Sequence, residues 1–356
     1  MRCFLIFLSS LLAVLVVIPP IILVTQKSRM LDEPLESRKV HKLNVPNSGG
    51  IGIFIGFLFS CLVFISFDLL PQANVLMAAA MIVFIMGLKD DIDSLAPYKK
   101  FVAQFVAAVM VCVFADIRIP SLYGFLGVFE LSHNVSIGLT LFAFVGIVNA
   151  FNLIDGIDGL AASLGILISL LFTFLYFEIG QLGYAYLSIA LTGALIGFLR
   201  FNITPARIFM GDSGSLLLGF IIAIIAIRIT DIELMDQLKL GPLQITSGVA
   251  LVLSILVIPV FDTLRVFSIR IYNRKSPFAA DSNHLHHRLL FLGLSHIKAC
   301  ITLILVNIFI IGTALALQGV GNTALVLLIS AITLMLNSIL SLLVERQKSL
   351  PKGISL

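Results

Sequence analysis

Apolar residues in this chain run on for long stretches instead of alternating with polar ones at strand or amphipathic-helix spacing. A bilayer core of ~30 Å takes ~20 residues of helix. Eleven segments come near that length: 3–24, 49–70, 72–88, 101–117, 136–153, 160–179, 183–199, 213–229, 244–264, 299–318 and 322–344. The pattern predicts an all-α polytopic integral membrane protein of about eleven transmembrane helices. The first segment has the length of a signal peptide. However, one basic residue precedes it, no small-residue cleavage site follows, and it ends in Pro19-Pro20, so it reads as a helix. Between the fourth and fifth segments lies RIPSLYGFLGVFELSHNV, residues 118–135, where Gly124 and Gly127 separate short aromatic-rich runs. This loop fits a short β-hairpin or an amphipathic piece lying on the membrane surface.

Composition strengthens this reading. The chain is 59% hydrophobic and 12% charged, against ~25% charged in soluble domains. No polar block is long enough to fold alone, so residues 1–356 read as one membrane domain, and no nucleic-acid partner is expected. The distribution of charge says more than the net +4. With the N-terminus outside, nineteen of the 23 Lys and Arg residues fall in inner connections, leaving Arg2, Arg118, Arg228 and Lys239 outside. Cytoplasmic loops carry the basic excess, which predicts an outer N-terminus and a cytoplasmic C-terminus. Cys3, Cys61, Cys112 and Cys300 are scattered without metal-type spacing and read as packing residues.

Five polar stretches interrupt the apolar runs, all on the predicted inner side. The most telling is Asn149–Ala161, NAFNLIDGIDGLA, which packs Asn149, Asn152, Asp155 and Asp158 into what would otherwise be a membrane helix. A carboxylate deep in a bilayer costs ~2.5–3.5 kcal/mol, so such residues usually serve a site. Asp155 and Asp158 share a face if that helix continues. In SRKVHKLNVPNSGG, Arg38, Lys39 and His41 precede Gly49-Gly50 and offer charge and backbone N–H groups to phosphate. In GLKDDIDSL, Asp90 and Asp91 repel one another unless a cation sits nearby, and Lys100 follows. Magnesium suits such a pair, being content with one or two carboxylates plus phosphate oxygens. FNITPARIFMGDSGS brings Asn202, Arg207, Phe209 and Asp212 together: an amide, a guanidinium, a ring and a carboxylate, as a nucleotide site would use. The last stretch has Asp262 and Arg265, then HLHHRLL with His284, His286, His287 and Arg288. Zinc would want companion cysteines and better spacing than i, i+2, so hydrogen bonding to phosphate or sugar is the preferred role.

Taken in order, these five motifs resemble the polyprenyl-phosphate N-acetylhexosamine-1-phosphate transferase family, glycosyltransferase family 4, from Arg38 to Arg288 and most strongly over 38–290. The His-x-His-His form and the eleventh segment resemble its undecaprenyl-phosphate N-acetylglucosamine branch more than the muramoyl-pentapeptide branch. The resemblance implies transfer of N-acetylhexosamine-1-phosphate, most simply GlcNAc-1-phosphate, from a UDP-sugar to undecaprenyl phosphate at the cytoplasmic face of the bacterial inner membrane. UMP would leave, and a lipid-linked cell-envelope glycan such as an O-antigen would begin. It also implies Mg²⁺, with Mn²⁺ as a substitute, and a homodimer would be ordinary. Asp212 matches the family's magnesium ligand, Asp90 and Asp91 its acidic pair, and Asn152 and Asp155 the polar helix end beside the metal. Asp158, Asn202 and Phe209 match the uridine positions. Lys100 fits the basic position after the acidic pair, and His284, His286, His287 and Arg288 fit the sugar- and phosphate-recognition loop. Lys89 departs from the pattern, since an apolar residue is commoner there.

The physics points the same way. A soluble anionic donor and a lipid-tailed anionic acceptor can meet only at an interface, where a divalent ion and Lys or Arg offset their repulsion. The acceptor phosphate is already largely dianionic near neutral pH, so Asp90 and Asp91 are expected to act through metal and geometry more than as bases. Two rivals stand beside this reading. One is the same reaction with another donor, such as UDP-GalNAc, a deoxy-aminosugar or UDP-MurNAc-pentapeptide. The other is an ion-coupled transporter, which would place its polar residues near the bilayer midplane and often show inverted repeats.

Overall fold

A computed structural model describes residues 1–32, 45–241, 243–274 and 283–349. In chain order the helices are α1 (Arg2–Asp32), α2 (Gly49–Phe64), α3 (Ala73–Ile92), α4 (Pro97–Phe114), α5 (His133–Ile154), α6 (Leu160–Glu178), α7 (Leu182–Asn202) and α8 (Gly211–Arg228). They continue with α9 (Ile232–Gln237), α10 (Gly248–Ile255), α11 (Val257–Tyr272), α12 (Leu285–Phe291), α13 (His296–Ala316) and α14 (Asn322–Ser349). Each of the eleven apolar segments coincides with a helix or with the α10–α11 pair. Eight described helices are long and apolar enough to cross a membrane, and nine if the bent pair counts as one span. Neither α2, a shorter apolar helix, nor α3 is among the eight. The hairpin expected in 118–135 is present: β1 (Ser121–Phe125) pairs antiparallel with β2 (Val128–Glu130). A second, two-residue ribbon, β3 (Lys239–Leu240) with β4 (Leu243–Gln244), has no counterpart in the sequence reading.

The bundle is built around α8. Its sequence is apolar on every side and its side chains are buried from Ser213 to Ile227, as befits a helix enclosed by others. Helices α2, α3, α5 and α6 pack against it, and α7 joins α1, α2 and α6 beside it. Apolar burial between helices gains little when lipid is equally apolar, so close approach and polar contacts hold the bundle. At Gly87 a Cβ would lie 2.6 Å from the Ser213 Cα, so only glycine lets α3 meet the start of α8 this closely. Ser10 Oγ donates to the Ala190 carbonyl at 2.7 Å, and Ser169 and Thr192 share a 2.8 Å hydrogen bond. In contrast α1 and α14 leave large apolar side chains such as Val16, Leu23, Leu327 and Leu342 exposed, as lipid-facing helices do.

Between α10 and α11 the axis turns by 78°. Pro259 accounts for it: its ring lacks the N–H that would bond the Ile255 carbonyl and collides with that carbonyl in a straight helix. The freed carbonyls are then satisfied from α13, where Asn307 Nδ2 donates to Ser254 O at 3.2 Å and Ile255 O at 3.3 Å. The bend carries α11 back against α5, and with it the residues that hold α12.

The hairpin lies at one end of the bundle, where Tyr123 Oη donates to Thr230 O and Asn322 Nδ2 donates to Tyr123 O. The described parts of the polar motifs lie at the other.

Candidate active site

A cavity of about 380 Å³ opens at that second end. Four carboxylates line it: Asp91 from α3, Asp155 and Asp158 from the loop after α5, and Asp212 from α8. Asn152, Asn202 and Phe209 line it too. Residues far apart in sequence thus meet as the motifs predict. The helix α5 stops at Ile154, however, so Asp155 and Asp158 share the cavity as loop residues and not as a helical face.

The start of α8 organises the acidic end. Its first N–H groups lack helical partners. Asp91 supplies them from α3: Asp212 N donates to Oδ1 at 2.7 Å, while Ser213 N and Oγ donate to Oδ2 at 3.0 and 2.6 Å. Asp90 points elsewhere. It accepts from Leu95 N at 2.7 Å and pairs with Lys100 Nζ at 2.7 Å, and the same ammonium bonds Asp212 Oδ2. Lys100 therefore joins the acidic pair to Asp212, and Asn152 Nδ2 holds the other oxygen of Asp212 at 3.0 Å and Ser215 Oγ at 2.9 Å. Among the described residues Asp155 has no such cation. Burial first, then the carboxylates of Asp212, Asp91 and Asp158, push its carboxyl up to about 7.

Several predicted residues are used differently from expectation. Asn149 does not line the cavity; one turn deeper in α5, it donates to Gln104 Oε1 at 2.7 Å and braces α4. Asn202 is buried at the rim and ties the chain, accepting from Gly159 N and donating to Ile208 O, both at 2.9 Å. The exposed Arg207 guanidinium lies 5.8 Å from the Phe201 ring centre, away from the cavity lining. Gly49 and Gly50 do not hold their N–H groups free for phosphate, since these donate to Phe209 O and Met210 O at 2.9 Å. Arg38, Lys39 and His41 lie outside the described residues.

The histidine helix α12 stands just behind the cavity wall. A Cβ on Gly156 would fall 2.2 Å from His286 Nε2, so the missing side chain lets the ring lie against the loop. Asp262, buried in α11, accepts from His284 Nδ1 at 2.9 Å, Leu285 N at 3.0 Å and Arg265 Nη2 at 3.0 Å, and so fixes the start of α12. Among the described residues His286 has no hydrogen-bond partner at either ring nitrogen. Burial, and next the neighbouring His287, push it down to about 3, so it is neutral at ordinary pH. The rings of His286 and His287 are 4.3 Å apart. Arg288 turns away from the cavity, donating to Asn337 Oδ1 at 2.7 Å and Ser341 Oγ at 2.6 Å on α14. Among the described residues no three His, Cys, Asp or Glu side chains converge to hold a metal by themselves.

Residues the sequence reading did not single out also line the cavity. Asn47, Gly211 and Ser215 sit inside quoted motifs, so adjacency could have flagged them. His296, alone at the start of an apolar helix, carried no such signal.

Fold and site together define a polytopic membrane enzyme whose acidic cavity opens at one end of the bundle. The sequence profile of glycosyl transferase family 4 matches residues 73–230. The chain is 32% identical over 320 residues to the "probable undecaprenyl-phosphate N-acetylglucosaminyl 1-phosphate transferase" of Bacillus subtilis (strain 168), covering 88% of this chain and 84% of that protein. It is 33% identical over 331 residues to the decaprenyl-phosphate N-acetylglucosaminephosphotransferase of Mycolicibacterium smegmatis, covering 86% and 80%. With the undecaprenyl-phosphate alpha-N-acetylglucosaminyl 1-phosphate transferase of Escherichia coli (strain K12) the identity is 28% over 288 residues, covering 79% and 75%. The chain belongs to glycosyl transferase family 4, and with it to the polyprenyl-phosphate N-acetylhexosamine-1-phosphate transferases, a family of membrane phosphotransferases.

Proposed function

We propose that this enzyme transfers GlcNAc-1-phosphate from UDP-GlcNAc to undecaprenyl phosphate at the cytoplasmic face of the inner membrane, releasing UMP. The observation that carries the reading is the joining of Asp90, Lys100, Asp212 and Asn152 into one bonded set, of which Asp212 and Asn152 line an acidic cavity. The names of the relatives support the donor and the acceptor class.

In this reaction an oxygen of the lipid phosphate attacks the phosphorus that carries the sugar. The bond from that phosphorus to the bridging oxygen breaks, and UMP departs with the electron pair. No proton need move, because the acceptor is already mostly dianionic. The residues' task is therefore positioning and charge. Lys100 is placed to follow a phosphate oxygen while still bound by Asp90, and Asn152 orients Asp212.

A magnesium ion fits the donor set. Four carboxylates line one cavity that has no Lys or Arg among its described lining residues, and burial together with the neighbouring carboxylates raises the carboxyl of Asp155. Asp212 would hold the ion with Asp91, Asp90 and Asn152 near it, and the remaining positions would go to water and phosphate oxygens. When bound it would lower the repulsion between the two anions.

The test is purified protein with UDP-GlcNAc, undecaprenyl phosphate and Mg²⁺. UMP release together with a lipid product heavier by GlcNAc-1-phosphate is expected, and Asp212→Asn should lower the rate at least ~100-fold. No UMP from any UDP-sugar tried would favour the transporter.

A further inference from the structure

Among the described residues lining the cavity, His296 is the one that can carry a positive charge. The rest of the lining is acidic, amide, hydroxyl, apolar or glycine, with no Lys or Arg among the described residues. The imidazole opens α13, and its place is fixed from two sides. On the helix side, Ala299 and Cys300 are buried and Cys300 Sγ lies 3.4 Å from the Asp158 carbonyl oxygen, which pins the first turn of α13 to the cavity loop. On the cavity side, Nδ1 is 3.4 Å from Asp158 Oδ2. That approach is close enough for an ion pair but poorly aligned for a hydrogen bond, and Nδ1 is buried with no other partner. The side chain is still 37% exposed, so the remainder of the ring is open at the cavity.

A nucleoside diphosphate sugar brings at least one negative charge per phosphate to this lining of four carboxylates. A metal ion beside Asp212 can balance charge there, while Asp158 and His296 line the same cavity together with Asn202 and Phe209. We infer that His296, backed by Asp158, donates a hydrogen bond from Nε2 to a phosphate oxygen of the donor, and that α13 thereby forms part of the donor site. Asp158 acts as a positioning residue: its carboxylate, 3.4 Å from Nδ1, holds one edge of the ring, while the opposite edge meets the phosphate. The inference rests on the transferase reading, because that reading supplies the anionic donor.

The experiment compares wild type with His296→Ala, His296→Gln and His296→Asn, measuring donor and acceptor KM, and binding of UMP and of uridine to the protein without acceptor. A hydrogen bond to a charged group is worth ~1.5–3 kcal/mol, so donor KM and the UMP dissociation constant should rise about tenfold or more in His296→Ala. The acceptor KM should stay within about twofold, and uridine binding should not change. Gln reaches where Nε2 reaches and should recover part of the loss; Asn, matching only Nδ1, should not. The melting temperature reports on folding, and His296→Gln remains informative if His296→Ala does not fold. Donor KM unchanged in an active His296→Ala enzyme, or equal losses for uridine and UMP, would overturn the inference while leaving the transferase reading intact. A wild-type enzyme without transfer activity would instead sink that reading.

Discussion

Asp155 shows how a single carboxyl can report on the whole site. Its value of about 7 lies above the 3.8 of an unperturbed Asp, and the causes are burial and three neighbouring carboxylates. Between pH 3.8 and about 7 the folded protein keeps a proton that the unfolded chain has lost. Stability of the metal-free protein should therefore fall as pH rises through that window and level off above it. A divalent cation needs the proton gone, so Mg²⁺ affinity, read as a thermal shift, should climb with pH up to about 7 and then flatten. Asp155→Asn should remove most of that slope; a wild-type affinity independent of pH would contradict the account. The residue scale is also where sequence alone stops short. Asn149 stood out as a polar group in an apolar run, but cost alone cannot say what a polar group bonds. It braces α4, while Asn202 both lines the cavity and ties its neighbouring loop, since buried amides need partners whether or not a ligand comes.

Helices were legible wherever an apolar run ended in a polar cluster. The bend between α10 and α11 and the service of α14 were not. Pro259 sits in the sequence as a plain signal, but only α13, through Asn307, makes the broken ladder tolerable. The last helix looks like a simple lipid-facing span. Yet Asn337 and Ser341, spaced i, i+4 and so on one face, receive the Arg288 guanidinium and anchor the histidine helix from behind. Removing both acceptors in Asn337→Ala/Ser341→Ala leaves a half-buried guanidinium without its partners. Such losses cost ~1–3 kcal/mol each, so the variant should melt lower and turn over about tenfold more slowly. Ser341→Thr, which keeps the hydroxyl, should behave like wild type. Unchanged turnover in the double variant would mean that α14 anchors nothing the reaction needs.

At the scale of the molecule, the two ends of the bundle are chemically distinct. One has the acidic cavity and the histidine helix; the other has the hairpin, bound to α14 through Asn322 and Thr323. If the positive-inside assignment is right, Asn47→Cys should be labelled by a membrane-impermeant thiol reagent only from the cytoplasmic side and Leu126→Cys only from outside. Labelling of both from one side would break the proposed topology. The amino-acid sequence alone determined that the chain is membrane-embedded, where its helices run and which polar motifs collect at one end, because partition between lipid and water and the hydrogen bonding of the backbone act on local stretches. Tertiary structure decided which polar groups face the cavity and which are spent inside the bundle. It also brought His296 to Asp158 and Arg288 to α14, because such pairings depend on how distant helices approach, which no local pattern records.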